Sequence, residues 1–234
     1  MKKRLIYWII GLTLAGALLF LTIPKPPREM LGVAPPTELS QEERFLEFKD
    51  YKAKAEAGDK YAQFVLGRYY GLGRDVPPDL ALSTYWFRKS AEQAYHEAYL
   101  ELGRSYGAGD GVEKNHVFAA FWLMKAACTK EYHTAGWAQI ELGKLYRRGG
   151  SGLPQNDFME SYAWFAIASR SKDPWIKQEA DKELKDLTGF LKVTAREHEI
   201  EKAHDRLEIL ERRLERMKID DQLFVRFSTE NSKK

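Results

Sequence analysis

Three segments of the sequence repeat one another, and this self-similarity constrains the fold more than any other feature. AQFVLGRYYGLG, AYLELGRSYGAG and AQIELGKLYRRG begin at Ala62, Ala98 and Ala138 and share the frame A-x3-L-G-x2-Y-x2-G. The Leu-Gly pairs of this frame are separated by steps of 36 and 40 residues. Units of this length must stack on one another, because one unit alone cannot bury its apolar face.

Each unit is predicted to form two antiparallel helices. The alanine, leucine and tyrosine of the frame fall at i, i+4 and i+8, which is one face of the first helix. The glycine after the leucine costs about 1 kcal/mol of helix propensity, which a close approach of the second helix must offset. A tryptophan that follows the leucine by 20, 20 and 22 residues indicates the second helix. Glycines are predicted to end the first helices and polar residues to cap the second ones: Gly73, Gly109 and Gly149, then Asp79, Asn115 and Asn156.

The three units occupy residues 59–172, and a shorter element precedes them. Ser40-x-x-Glu43 is a capping box for a helix that continues to about Ala57. Its ending, KAEAGDKYA, is similar to the end of a repeat's second helix. Residues 40–58 are therefore predicted to be an N-terminal capping half-repeat.

The spacing and the residues resemble the Sel-one-like repeat family, a branch of the tetratricopeptide-like α-solenoids. The resemblance covers roughly residues 50–172 and is closest in YWFRKSAEQAYHEAYLELGRSYGAGDGVEKN, which begins at Tyr85. Two departures concern local turns: Ala94 stands where the family usually has glycine, and the third unit has a longer loop. The resemblance implies an all-α solenoid that acts as an adaptor for protein assembly, often at membranes.

The N-terminal segment is predicted to be a transmembrane anchor. Lys2, Lys3 and Arg4 precede an uncharged run of 19 residues over 5–23, which matches a hydrocarbon core of about 30 Å. A cleaved signal peptide is the alternative, but the run ends without a small-x-small cleavage site. Because basic residues before a span stay cytoplasmic, we expect a bacterial inner-membrane protein with its repeats in the periplasm. The proline-rich residues 24–39 would form the tether.

The charge distribution argues against a general nucleic-acid-binding surface. Residues 1–29 hold five basic residues and one acidic residue, which leaves 32 basic and 33 acidic residues in the rest of the chain. Binding to phosphates requires a basic excess that this part lacks.

The resemblance to tetratricopeptide-like arrays implies that the first helices line a concave, partner-binding groove. The residues after the Leu-Gly pairs would form a ladder of cations above a row of apolar side chains, which suits a peptide with carboxylates. The alternative is an ordinary solvated face whose cations pair with Glu101 or Glu141. The groove residues are Arg68, Arg104 and Lys144, with Phe64, Leu100, Ile140, Tyr61 and Trp137.

Residues 173–219 are predicted to form capping or coiled-coil helices, with a break near Asp186 and Thr188 as the cap of a last long helix. A heptad seam follows, which either folds back on the array or forms a homodimer. The seam residues are Ile200, Ala203, Leu207, Leu210, Leu214 and Met217, and residues 220–234 form a tail.

No catalytic constellation is visible in the sequence. The five histidines are scattered without metal-ligand spacing, and the single cysteine, Cys128, is predicted to be a small buried residue. No cofactor or metal is expected, and the chain is not expected to be an enzyme. The sequence favours a membrane-anchored scaffold, an accessory or assembly factor that binds a membrane or envelope protein. A structural homo-oligomer formed through the seam is the alternative.

Overall fold

The computed structural model describes residues 40–73, 75–150, 152–154, 157–194 and 196–219. The predicted anchor, tether and tail lie outside these residues. The helices in the described ranges are α1 Gln41–Glu56, α2 Lys60–Leu72, α3 Leu80–Glu92, α4 His96–Ala108, α5 His116–Ala127, α6 Tyr132–Arg148, α7 Phe158–Ala168, α8 Pro174–Val193 and α9 His198–Ile219. None of these helices is both long enough and apolar enough to cross a bilayer.

From Arg44 onward the chain forms one compact unit. Helices α2 and α3, α4 and α5, and α6 and α7 pack as three hairpins, and each hairpin packs on the next through α3 with α4 and α5 with α6. The prediction of an all-α array of three helical hairpins is confirmed.

The glycines after the three leucines lie where the second helix of each hairpin comes closest. A Cβ atom on Gly67 would lie 2.7 Å from the ring of Phe87, and one on Gly103 would lie 2.7 Å from Leu123 Cγ. At Gly143 the nearest atom would be Phe165 Cε1, at 2.5 Å. A side chain at any of these positions would push the two helices apart, which explains why glycine is tolerated inside a helix here.

The helix ends follow the predicted capping chemistry with one shift. The Leu82 N–H donates to Asp79 at 2.9 Å, and the Phe118 N–H donates to Asn115 at 3.0 Å. In the third repeat Asp157 caps α7 by accepting from the Glu160 N–H. Asn156, to which we assigned this role from the sequence, lies outside the described residues.

Helix α1 begins with the predicted capping box. The Ser40 N–H donates to Glu43 Oε2 at 2.8 Å, and the Glu43 N–H donates to Ser40 Oγ at 3.2 Å. The hydrogen bond from the Ser40 backbone lowers the pKa of the Glu43 carboxyl.

Helix α8 continues through the predicted break. Thr188 caps no helix, because its hydroxyl donates to the carbonyl of Leu184 at 2.8 Å inside the helix. The helix ends instead at Val193, and α9 begins five residues later at His198. The prediction was wrong because a single Thr-Gly pair does not stop a helix whose apolar face is packed; Leu187 and Leu191, on either side of that pair, are both 1% exposed.

Helix α9 folds back and packs mainly on α7. Arg206 of α9 forms an ion pair with Glu160 of α7, which is 5% exposed, and this hydrogen bond raises the pKa of Arg206. Trp164 Nε1 donates to the same glutamate at 3.2 Å. Burial beside this pair raises the pKa of Tyr146 to about 12.

Candidate functional site

The stacking of the hairpins brings the predicted cations onto neighbouring helices. Arg68, Arg104 and Lys144 lie on α2, α4 and α6, each directly after the glycine that contacts the second helix of its hairpin. They occupy equivalent positions in the three repeats, but the structure gives each of them different partners.

Arg104 is neutralised by two glutamates. Its Nη1 lies 3.1 Å from Glu101 Oε1 on its own helix, and its Nη2 lies 3.2 Å from Glu141 Oε1 on α6. The pairing with Glu101 and Glu141 is the alternative to a partner-binding role that the sequence left open. Arg104 therefore joins the second repeat to the third.

Lys144 is neutralised by two glutamates of α8. Its Nζ lies 3.1 Å from Glu179 Oε1 and 3.4 Å from Glu183 Oε1 on α8. Glu183 is 8% exposed and also accepts from Arg147, at 2.8 Å. This network attaches α8 to the third repeat and leaves Lys144 without a free charge.

Arg68 differs from the other two cations. Its side chain is exposed and forms no ion pair with any described residue. The acid in the matching position of the next repeat is Glu101, and Glu101 is held by Arg104. Of the three cations in the predicted ladder, Arg68 alone has no ion pair within the part of the chain that the structure describes.

The predicted apolar row is only partly accessible. Leu100 is 7% exposed and Ile140 is fully buried, so the expectation that both line an open groove is wrong. Ile140 packs in a cluster with Phe165 and Ile176, because α7 and α8 cover this face of α6. Phe64 is half-buried against Tyr95, with ring centroids 5.0 Å apart.

The remaining two predicted groove residues lie near the start of the first helices. Tyr61 is 50% exposed and contacts Tyr51 and Tyr95, with ring centroids 6.2 and 6.1 Å away. Trp137 is half-buried and its ring meets His133 edge-on at 6.4 Å. The structure therefore does not join the eight predicted residues into one continuous surface.

An open cleft of about 440 Å³ lies between the first and second repeats, and we call it the first cleft. It contains both arginines, two acids, three hydroxyl groups and three larger apolar side chains. Its lining residues are Arg68, Arg104, Glu101, Asp110, Ser83, Thr84, Ser105, Leu72, Leu80 and Phe87, with Gly71.

The equivalent second cleft, between the second and third repeats, is much smaller at about 160 Å³. Arg104 and Glu141 line it and are joined by the ion pair described above. Leu145 also lines it, in the position that Ser105 occupies in the first cleft.

Sequence reasoning missed Leu72, Leu80 and Asp110. Leu72 is the last residue of α2 and Leu80 the first of α3, and they are 56% and 44% exposed. All three lie at positions that the repeat frame leaves variable. Leu72 and Leu80 are apolar residues at helix ends and lie outside the shared frame. Because the frame does not need them for packing, they could have indicated an exposed binding surface.

The heptad seam is engaged within the chain. Ala203, Leu207, Leu210 and Leu214 are all less than 8% exposed, and the three leucines belong to the cluster that contains Trp164. Ile200 is half-buried, and the side chain of Met217 lies outside the described ones. The described seam residues therefore fold back on the array, as the first of the two alternatives predicted.

The described residues contain no group of three or more histidine, cysteine or acidic side chains placed to hold a metal ion. His116 Nδ1 donates to the Gly150 carbonyl at 2.8 Å, and His133 Nδ1 lies 2.9 Å from Asp173 Oδ2. The hydrogen bond with His133 lowers the pKa of Asp173. Asp173 is also the N-cap of α8, so this pair has a structural role. Cys128 is buried, as predicted.

Comparisons with known proteins agree with this architecture. A family model described as the Sel1 repeat matches residues 60–95, 96–128 and 138–173. The first two matches begin at the first residues of α2 and α4. A search of curated proteins found no match.

Two solved structures are similar to the chain. A Sel1 repeat protein from Oxalobacter formigenes is 30% identical with a TM-score of 0.49, over 58% of this chain and 53% of that one. A protective antigen of uropathogenic Escherichia coli strains that displays an SLR fold is 27% identical with a TM-score of 0.37, over 55% of this chain and 34% of that one. The chain thus spans about half the length of the first protein and about a third of the second.

Proposed function

From the premise that this chain is a Sel1-repeat α-solenoid, with three repeats between residues 60 and 173, we propose that it is a scaffold that binds a partner protein at a membrane. Sel1-repeat proteins are generally protein-interaction scaffolds. The proposal for this chain goes further, because it assigns the binding surface and the membrane setting.

One observation carries the assignment of the surface: the first cleft is open and combines a cation without an ion pair among described residues with two exposed leucines. Arg68, Leu72 and Leu80 all line this cleft. Ligand sites are usually concave and combine apolar side chains with polar groups that fix the orientation of the ligand. The elements around it are held by packing on both sides, so the surface exists before a partner arrives.

The membrane setting rests on the N-terminal residues. An anchor over residues 1–23 with a cytoplasmic basic end would hold the array in the periplasm of a bacterial inner membrane. A tether of 16 residues, 24–39, would keep the first cleft close to the bilayer and raise its effective concentration for membrane-bound partners. This setting suits an accessory or assembly factor of an envelope complex.

Binding rather than catalysis is the proposed activity. Sel1-repeat folds are typically non-catalytic. The residues that line the first cleft include no histidine or cysteine, and its three hydroxyl groups already donate to backbone carbonyls.

Site-specific photocrosslinking in native membranes tests the binding surface. A photoreactive residue at position 80 of the full chain should crosslink to one defined protein, and Arg68→Glu should reduce that product. A photoreactive residue at position 193, which is 88% exposed on α8, provides the matched surface control. Equal products at positions 80 and 193, or no effect of Arg68→Glu, would contradict the proposal.

The anchor has its own test. Leu14→Arg together with Leu18→Arg should move the full chain from the membrane fraction to the soluble fraction, because each arginine at the centre of a span costs about 2.5–3.5 kcal/mol. The control is Lys25→Glu with Arg28→Glu, which changes charge outside the span. Unchanged membrane retention of the arginine variant under alkaline extraction would show that the segment is not the anchor.

A further inference from the structure

The hydroxyl groups of the first cleft are already used as donors inside the protein. Ser83 Oγ donates to the Gly67 carbonyl at 2.8 Å, and Thr84 Oγ1 donates to the Asp110 carbonyl at 2.7 Å. Ser105 Oγ donates to the Glu101 carbonyl at 3.1 Å. A ligand in the cleft must therefore take its hydrogen bonds from another group.

The guanidinium of Arg68 is that group. The other arginine of the cleft, Arg104, is held by Glu101 and Glu141, whereas Arg68 forms no ion pair with a described residue. An arginine fork matches a carboxylate in a bidentate geometry, and a charge-assisted pair is about twice as strong as a neutral hydrogen bond. The first cleft thus offers one strong anion-binding group.

The walls and the size of the cleft restrict what accompanies the anion. Leu72 and Leu80 are about half exposed, and Phe87 is buried at 6% exposure, so the two leucines give the cleft an accessible apolar patch among its polar residues. A volume of about 440 Å³ holds a short stretch of extended peptide with one or two side chains inserted. Inorganic anions would leave the two leucines uncovered.

The carboxylate of Asp110 limits the charge that the cleft accepts. Asp110 lines the cleft, is exposed and forms no ion pair with any residue in the described part of the chain. Because Glu101 is paired with Arg104, the cleft keeps one unpaired positive charge, on Arg68, and one unpaired negative charge, on Asp110, among the described residues. A second acid on the ligand would meet Asp110 without a cation to neutralise it.

We infer that the first cleft binds an extended segment of a partner protein that presents a single carboxylate next to an aliphatic side chain. The carboxylate pairs with the Arg68 guanidinium, and the aliphatic side chain covers Leu72 and Leu80. This inference rests on the proposed function and adds the chemistry of the partner. The second cleft does not take such a ligand, because its arginine is already paired and its volume is about 160 Å³.

Methyl NMR titration of the full chain in lipid nanodiscs tests the inference. The probe is a blocked pentapeptide, N-acetylated Gly-Leu-Glu-Ala-Gly amide, and its analogue has Gln in place of Glu. The methyl resonances of Leu72 and Leu80 should shift saturably with the Glu peptide. The Gln peptide should bind about tenfold more weakly, since it loses one charge-assisted pair.

Variants locate the effect at Arg68. Arg68→Gln should lower the affinity for the Glu peptide to that for the Gln peptide. The control is Lys182→Gln, at an exposed α8 residue without an ion pair to any described residue, and it should leave the affinity for the Glu peptide unchanged. Because Arg68 is exposed and unpaired among the described residues, Arg68→Gln should keep the wild-type melting temperature. A probe with Glu-Glu in place of Glu-Ala should bind no more tightly than the single-acid peptide.

Three outcomes would overturn the inference: unmoved Leu72 and Leu80 methyls, equal binding of the Glu and Gln peptides, or wild-type affinity of Arg68→Gln. An equal response to inorganic phosphate would also overturn it, because the site would then recognise an anion without its aliphatic neighbour. If the titration fails while the position 80 crosslink persists, the partner chemistry is wrong and the scaffold function stands.

Discussion

The first and second clefts are built from the same repeat frame, yet the first is much larger than the second. Their volumes are about 440 and 160 Å³. Ser105 in the first cleft is replaced by the buried Leu145 in the second, and the Arg104–Glu141 pair spans the second cleft. The frame residues bury the same helix faces in both places, while the variable positions decide how much surface remains for a partner. Repeats that are equivalent in fold are therefore not equivalent in function.

The largest difference in stability between matched substitutions is expected for the loop that follows α4. Gly111 has φ +69, and a Cβ atom there would overlap the Leu80 carbonyl, which is backbone and cannot move without shifting α3. Gly111→Ala should cost roughly 3–5 kcal/mol of unfolding free energy, from the positive φ and from overpacking.

Gly152→Ala is the matched control in the third repeat. Gly152 has a similar φ of +90, but its Cβ would meet only the side chain of Val117, at 2.7 Å. We expect a loss of about 1–2 kcal/mol there, since a side chain can rotate away. Urea unfolding measures both values, and equal losses would show that the Leu80 contact does not constrain the first cleft.

Leu145→Ala should also have a large effect. Leu145 is 3% exposed, and its truncation should cost about 3 kcal/mol and enlarge the second cleft. Ser105→Ala, at the same position of the preceding repeat, should cost less than about 1 kcal/mol, because it removes one hydrogen bond without leaving a cavity. Thermal and urea unfolding measure the stability loss of each variant. Similar losses would contradict the expectation that Leu145 and Ser105 contribute differently to their clefts.

Ala94→Gly should stabilise the turn between the first and second repeats. Ala94 has φ +56, which costs an L-residue about 1–2 kcal/mol, and glycine removes this cost while adding about 0.5–1 kcal/mol of unfolded-state entropy. A net gain of roughly 0.5 kcal/mol should appear in urea unfolding. Gly58→Ala, at the equivalent turn before α2 with φ +98, should change stability in the opposite direction.

Glu141→Gln should have the smallest effect of these changes. The pair with Arg104 is partly exposed, so its loss should cost about 0.5 kcal/mol and should disappear at high salt. A double-mutant cycle with Arg104→Gln measures the pair itself. A coupling that persists at high salt would mean that the pair, rather than Leu145, limits the size of the second cleft.

The sequence predicted the hairpins because their determinants are local. The glycines that permit close helix contact, the capping residues Asp79 and Asn115 and the terminal glycines all act within one hairpin. The Leu-Gly pairs of the second and third repeats are 40 residues apart instead of 36, and the four extra residues lengthen one helix. Helix α6 has 17 residues, whereas α2 and α4 have 13. Four added residues make about one turn, so the packed face keeps its direction.

The candidate site was less predictable because its determinants lie on different helices. Arg68, Arg104 and Lys144 occupy the same position in the frame, but their neutralisation depends on acids of the adjoining helix, such as Glu179. Ile140 was assigned to the groove since its position in the repeat matches Phe64, yet α8 covers it. Periodicity identifies the residues on one face and says little about which neighbour covers that face.

The sequence alone determined that this chain forms stacked helical hairpins, because glycine spacing, caps and apolar period all favour the same local structure. Tertiary packing decided which surface stays open. It placed the heptad seam of α9 against α7, paired Arg104 with α6 and Lys144 with α8, and left Arg68 in the lining of the first cleft. Side-chain burial and charge pairing depend on residues distant in the chain, so these choices arise only when the hairpins stack.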